Sequence, residues 1–177
     1  MSASRSFCPP STAPKQTETT QRWKLNLRSK GRTVPLHTKI EFSRRGAEGD
    51  SKLEPVDGLL TRHYQLPPIL AAHYLLGSAI RQKVGALVGR AEVQARDVFD
   101  LSLLVAKAGG DLRAYGDLLE QVSEAIARTE GITYGEFMGQ VVAFLVPEHA
   151  DAYASEEAWI AMQLQVIDAL RTIEAVG

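Results

Sequence analysis

A short stretch in the middle of the chain concentrates side chains that could handle phosphate groups. Lys83 and Arg90 lie seven residues apart, so on one helix they would share a face. A lysine supplies a compact charge and an arginine a two-pronged donor, and together they can grip phosphates. Arg96 is followed by Asp97 and Asp100, which could act as a base or beside a metal ion. On spacing alone, a solvated charged face with an Arg–Asp pair inside one helix is the commoner explanation.

The other reactive side chains show no spacing typical of a catalytic or metal site. The four histidines do not form a metal-ligand pattern. Ser78 and Ser102 lack a partnered histidine and acid, which disfavours a hydrolase. A single cysteine, Cys8, excludes a disulfide framework and a zinc site built on several cysteines.

The composition is that of a soluble globular protein. Of 177 residues, 45% are hydrophobic and 23% are charged, and the formal net charge of −1 gives no global attraction to nucleic acid or anionic membrane. No apolar run approaches the roughly 18 residues needed to span a bilayer. The first 20 residues contain no apolar signal region, so we expect a cytoplasmic protein without a membrane partner.

The chain divides by pattern into a tail, a strand-rich part and a helical part. Residues 1–20 are rich in Ser, Thr and Pro, which predicts a disordered or artefactual tail. Large apolar residues then alternate with polar ones over 21–42, which predicts two strands joined by a turn at Ser29–Arg32. Glycines and prolines predict a loop over 44–68, and no further strands are expected.

Five helices are predicted in the remainder of the chain. Apolar residues follow helical spacing from Ile69 to Val88 and again over Ala95–Lys107, before a Gly109-Gly110 stop. Capping residues predict three more helices, which start after Asp111, Thr133 and Ser155 and end near Arg128, Leu145 and Ala175.

The central stretch resembles the C-terminal signature of AbiEii/AbiGii-type nucleotidyltransferase toxins. In that family a helix of the form K-hydrophobic-x-A-L-x-x-R is followed by R-D-hydrophobic-hydrophobic-D-L. This chain has Lys83-Val-Gly-Ala-Leu-Val-Gly-Arg90, then Arg96-Asp97-Val-Phe-Asp100-Leu101. Weaker likenesses extend the resemblance from about Gln21 to the C-terminus.

The resemblance implies roles for these residues. Lys83 matches the lysine that contacts the nucleotide phosphates, and Asp97 matches the aspartate that completes the active site. Arg90 and Arg96 match positions that support substrate binding, and Asp100 matches a supporting position. Apart from the resemblance, the predicted hairpin is basic, with Arg22, Lys24, Arg28, Lys30, Arg32 and Lys39. It could contact a nucleotide or RNA, and a solvated strand face explains these residues at least as well.

The family's metal-binding segment has no counterpart in these 177 residues. The family carries a Gly-Ser turn followed by an Asp-x-Asp pair, which bind phosphates and Mg²⁺. No Asp-x-Asp occurs here, and the one Glu-x-Asp, Glu48-Gly49-Asp50, follows the predicted hairpin instead of preceding it. We therefore expect no cofactor for this chain alone, and Mg²⁺ and an NTP for the complete family enzyme.

These observations predict an α+β fold: a residual antiparallel hairpin or sheet of a nucleotidyltransferase domain, followed by a bundle of about five helices. The expected parts are the tail at 1–20, a strand-rich remnant at 21–66 and a helical domain at 67–177. The first functional hypothesis is a truncated or split nucleotidyltransferase, inactive alone. Its complete form would transfer NMP from an NTP to an acceptor such as tRNA, as in toxin–antitoxin and abortive-infection systems. The alternative is a helical interaction module that binds an antitoxin or a separately encoded N-terminal half; a product without present function also stays open.

Overall fold

The structure, a computed structural model, describes residue 18 and residues 20–27, 36–43 and 49–175. The chain forms two units, one within the first 48 residues and one from Gly49 onward. Across the described residues there are two separate antiparallel two-stranded sheets and seven α-helices. The predicted α+β class with a helical C-terminal region is confirmed.

The first unit contains the predicted pair of strands. β1 (Thr20–Leu27) and β2 (Leu36–Ser43) are antiparallel, with Trp23 opposite Ile40. The Trp23 ring meets the Phe42 ring edge-on at a centroid distance of 5.4 Å. None of the side chains described in this unit is buried, so the apolar face predicted for the hairpin is not covered within it. The predicted turn, and most of the predicted tail, lie outside the described residues.

The second unit begins with structure that the sequence patterns did not predict. β3 (Ser51–Pro55) pairs with β4 (Leu70–Tyr74), and α1 (Gly58–His63) connects the two strands along the chain. The predictions of a loop over 44–68, of no further strands and of a helix starting at Ile69 were therefore wrong. Five-residue strands are too short to show a clear alternation, and pairing with β3 outweighs the helical preference of the two alanines in β4.

The helical part starts at α2 and continues to the end of the described chain. Its elements are α2 (Leu76–Gly89), α3 (Ala95–Lys107), a 3₁₀ helix (Arg113–Leu118), α4 (Leu119–Glu130), α5 (Tyr134–Gln140), a second 3₁₀ turn (Val142–Phe144), α6 (Pro147–Tyr153) and α7 (Glu156–Glu174). No helix among the described residues is both long and apolar enough to cross a membrane.

The predicted helix ends are confirmed in part, although the fourth predicted helix ends at Gln140 instead of near Leu145. Gly109 and Gly110 adopt φ of 77° and 80°, the left-handed conformation that ends α3. Thr133 caps α5 in a reciprocal capping box with Glu136, and Ser155 caps α7. The third predicted helix was wrong in one respect. Its first part is the 3₁₀ helix, and the Asp111 side chain accepts a hydrogen bond from the Arg113 backbone without capping an α-helix.

Among the described residues, one hydrophobic core holds the helices together. All of its buried hydrophobic side chains lie between Ile80 and Ile173. At its centre the fully buried Phe137 ring stacks on Trp159 at a centroid distance of 4.4 Å and an interplanar angle of 17°. Helices α2, α3, α4 and α7 pack around this core. The core therefore fixes α2 and α3 against each other, which is the pairing that matters for the candidate site.

Candidate phosphate-binding site

The two halves of the sequence signature meet where α2 packs on α3. Ile80, Val84 and Leu87 are buried on the inner side of α2. Lys83 is three residues after Ile80 and four before Leu87, so it lies on the same side of the helix. Its side chain is 23% exposed, which leaves the aliphatic stem against the core and the ammonium at the boundary.

Asp97 is the buried centre of the site. It occupies the first turn of α3, where the helix dipole favours a carboxylate, and its side chain has no exposed surface. Its backbone N–H donates to the Gln94 carbonyl at 2.9 Å. A buried carboxylate needs positive partners, because an isolated charge in the protein interior is strongly unfavourable.

Those partners are the two predicted cations. Lys83 Nζ donates to Asp97 Oδ1 at 3.4 Å and lies 2.6 Å from Asp100 Oδ2. Arg90 Nε lies 2.7 Å from Asp97 Oδ2. That oxygen is buried and receives no hydrogen bond of suitable direction, so the Arg90 contact is mainly electrostatic. We call these four residues, Lys83, Arg90, Asp97 and Asp100, the α2–α3 charge cluster.

The arrangement of this cluster differs from the one predicted from the sequence. Arg90 does not share a helix with Lys83, because α2 ends at Gly89 and Arg90 has extended backbone angles of −77° and 143°. The prediction of one common helix face was therefore wrong. The ion pairs also cross between elements, in contrast to the intrahelical Arg–Asp pair that spacing alone favoured. Arg96 is exposed and forms no ion pair within the described residues, so the structure brings together four of the five predicted site residues.

Arg128 is a supporting residue that no sequence pattern indicated. Its Nη1 donates to the Arg90 carbonyl at 2.6 Å and to the Leu87 carbonyl at 3.4 Å. It thereby satisfies backbone acceptors at the C-terminal end of α2, where a cation is also favoured by the helix dipole. It is separated from Arg90 by 38 residues in the chain, so no local pattern could reveal the contact.

A second cation on α2 is held in a separate group. Arg81 donates to the Asp117 carboxylate through Nε at 2.7 Å and Nη2 at 3.1 Å, and its guanidinium lies 5.1 Å from the centre of the Tyr115 ring. These hydrogen bonds lower the pKa of the Asp117 carboxyl below its ordinary value. Arg81 is therefore a matched control for Lys83: the same helix, the same charge, but different partners.

The cluster has hydrogen-bond donors to spare. A lysine ammonium has three N–H groups and an arginine guanidinium has five, and Asp97 and Asp100 engage only some of them. Arg90 is 40% exposed, so part of its guanidinium faces solvent. Asp100 is 42% exposed and reaches solvent, whereas the Asp97 side chain is fully buried. The cluster thus holds Lys83 and Arg90 against a buried carboxylate and leaves part of each cation accessible to an anion from solvent.

No family model, curated protein or solved structure matches this chain in comparisons with known proteins. Within the described residues, no three His, Cys, Asp or Glu side chains are grouped closely enough to hold a metal ion.

Proposed function

We propose that this chain is a portion of an AbiEii-like nucleotidyltransferase that contributes nucleotide phosphate contacts and is inactive alone. The complete enzyme would transfer NMP from an NTP to an acceptor such as tRNA. In this proposal Lys83 and Arg90 bind the phosphates, Asp97 completes the site near the transferred group, and Asp100 supports Lys83. Arg96, which is exposed at the start of α3, would contact more distant parts of the substrate.

The convergence of the two sequence motifs carries the proposal. Lys83 belongs to the first motif and Asp97 to the second, and Lys83 Nζ lies 3.4 Å from the Asp97 carboxylate. Surface ion pairs are common and weak, but a fully buried aspartate that holds two cations is not a typical surface pair. Burial of such a charge is costly, and this cost is our reason for proposing a role for Asp97 beyond stability.

The chemistry of the cluster also explains why the chain should need a partner for activity. Phosphoryl transfer depends on neutralising the charge of the transferring group, mostly with bound Mg²⁺. In the cluster two cations face two carboxylates, so its formal charges cancel. Without a metal-binding carboxylate pair from elsewhere, the cluster can hold a nucleotide but cannot drive transfer.

A transfer assay tests this proposal. Purified protein is incubated with labelled NTPs, Mg²⁺ and total RNA, beside Lys83→Ala and Arg81→Ala variants. We expect no labelled RNA above the protein-free blank with any of the three, because the metal-binding pair is missing. Robust labelling that Lys83→Ala abolishes and Arg81→Ala leaves intact would contradict the claim of inactivity, while supporting the role of Lys83.

A second candidate function is a helical interaction module for an antitoxin or for a separately encoded N-terminal half. One observation favours it. Ile160 and Leu164 lie one turn apart on α7 and are 47% and 51% exposed, and Phe144 is 80% exposed. Ile160 and Leu164 form a short apolar stripe at helical spacing, which is the kind of surface that a partner helix covers. A pull-down with the neighbouring gene product would test it, with Ile160→Lys expected to abolish capture.

A further inference from the structure

The sheet formed by β3 and β4 has an apolar face that the other described residues of its own unit do not cover. Leu53 pairs with Ala72, and Pro55 pairs with Leu70, so these four side chains lie on one face of the sheet. All four are exposed, with Leu53 at 62% and Leu70 at 63%. In an ordinary two-layer protein this is the face that would be covered.

The whole segment from Ser51 to Leu75 exposes apolar side chains. Between Ser51 and Leu75 the only buried residue is Thr61, and no hydrophobic side chain of the segment joins the core. Its large exposed hydrophobic residues are Leu53, Leu59, Leu60, Tyr64, Leu66, Ile69, Leu70 and Leu75. Such a concentration in one short segment indicates a binding surface more than scattered exposure does.

The charged groups of the sheet lie on its opposite face and are paired there. Lys52 and His73 both contact Glu54, with Lys52 Nζ 2.5 Å and His73 Nε2 2.8 Å from its carboxylate oxygens. These contacts hold the pKa of the Glu54 carboxyl below its ordinary value. The apolar face therefore carries no formal charge, so placing two copies of it side by side in one sheet brings no like charges together on that face.

The hydrogen bonds between β3 and β4 show which backbone groups point outward. Val56 N–H donates to the Ile69 carbonyl at 2.8 Å, and Leu75 N–H donates to the Asp50 carbonyl at 2.9 Å. In an antiparallel pair, every second residue directs its backbone N–H and C=O groups toward the neighbouring strand. Here these are the even-numbered residues of β3 and the odd-numbered residues of β4. The N–H and C=O groups of Leu70, Ala72 and Tyr74 consequently point away from β3.

The two outer edges of this sheet are not equivalent. On β3 one outward position is Pro55, which has no N–H to offer to another strand. On β4 the outward groups of Leu70 and Ala72 have no hydrogen-bond partner within the described part of the chain, and only the Tyr74 carbonyl is contacted, by His73 Nδ1 at 3.0 Å. The edge of β4 therefore offers an N–H group at every outward position, whereas the edge of β3 lacks one at Pro55.

We propose that β4 pairs antiparallel with β4 of a second copy of this chain, around a two-fold axis at Ala72. The three outward residues are spaced symmetrically about Ala72, so Leu70 of one copy faces Tyr74 of the other and Ala72 faces Ala72. The same edge on both copies satisfies the symmetry of an isologous dimer. The product is a four-stranded sheet, β3-β4-β4-β3, which joins the two apolar faces into one surface and is more stable than either two-stranded sheet.

The test is the mass of the full chain in solution, measured by light scattering during size-exclusion chromatography over a dilution series. We expect the wild type to have twice the monomer mass and to dissociate on dilution. Ala72→Pro removes an outward N–H without breaking a bond to β3, so it should give a folded monomer. Leu70→Lys replaces the apolar contact that Leu70 would make with Tyr74 of the other copy, so it should also weaken the dimer.

Phe144→Lys is the matched control, since it replaces an apolar residue that is more exposed but lies outside the sheet. It should leave the dimer intact. A wild-type chain that is monomeric at every concentration would overturn the proposal. So would a dimer that survives both Ala72→Pro and Leu70→Lys, or one that only Phe144→Lys disrupts.

Discussion

Replacing Trp159 with alanine is expected to lower the free energy of unfolding by about 3–5 kcal/mol. Trp159 is 1% exposed and stacks on the fully buried Phe137 at 4.4 Å. The substitution leaves a cavity in the only hydrophobic core of the described residues, and it removes the ring stacking that links α5 to α7. Urea denaturation followed by circular dichroism would measure the loss.

The neighbouring Ile160 provides the control for this experiment. It lies on the same helix and is also hydrophobic, but it is 47% exposed. Ile160→Ala should therefore change the free energy of unfolding by less than about 1 kcal/mol. Equal losses from Trp159→Ala and Ile160→Ala would contradict the position assigned to the core.

The second large effect is expected from Asp97→Asn, which should destabilise the protein by about 3 kcal/mol. Asparagine has nearly the same shape, so the change removes the negative charge and leaves Lys83 and Arg90 without their buried partner. Removal of one member of a buried ion pair costs about 3–5 kcal/mol. The lower end applies here because Lys83 and Arg90 are 23% and 40% exposed and can turn partly toward water.

Asp100→Asn is the control that separates the effect of losing a buried charge from the effect of losing an exposed one. Asp100 contacts the same lysine at 2.6 Å, but its side chain is 42% exposed. Its substitution should cost less than about 1 kcal/mol, as is usual for an exposed ion pair. If the two aspartate variants were equally stable, the buried carboxylate would not be the centre of the cluster.

The parts of the fold that were predictable from sequence are those specified by local patterns. The alternation around Trp23 located β1 and β2, and the Gly109-Gly110 pair and the caps at Thr133 and Ser155 located helix ends. In each case the chemistry that ends or forms the element acts within a few residues of it. β3 and β4 were missed because their pairing joins Ser51 to Tyr74, across 23 residues, and five residues are too few to display a period.

The sequence predicted which residues form the candidate site better than it predicted how they are arranged. Residue type and spacing identified Lys83, Arg90, Asp97 and Asp100, and these come together. The position of Arg90 outside α2 was not expected, because the family-like motif runs from Lys83 to Arg90 without a break. The burial of Asp97 and the support from Arg128 arise from packing between helices, which the order of residues along the chain does not express.

Direct titration with nucleotides tests the central claim, that the α2–α3 charge cluster binds nucleotide phosphates. Each NTP is titrated with Mg²⁺ into wild-type protein, Lys83→Gln and Arg81→Gln, and the dissociation constants are measured by calorimetry. We expect the wild type and Arg81→Gln to bind an NTP equally, and Lys83→Gln to bind it about tenfold more weakly or worse, the loss of one charge-assisted hydrogen bond. Equal affinity of wild type and Lys83→Gln, or no binding by the folded wild type at millimolar nucleotide, would contradict the claim.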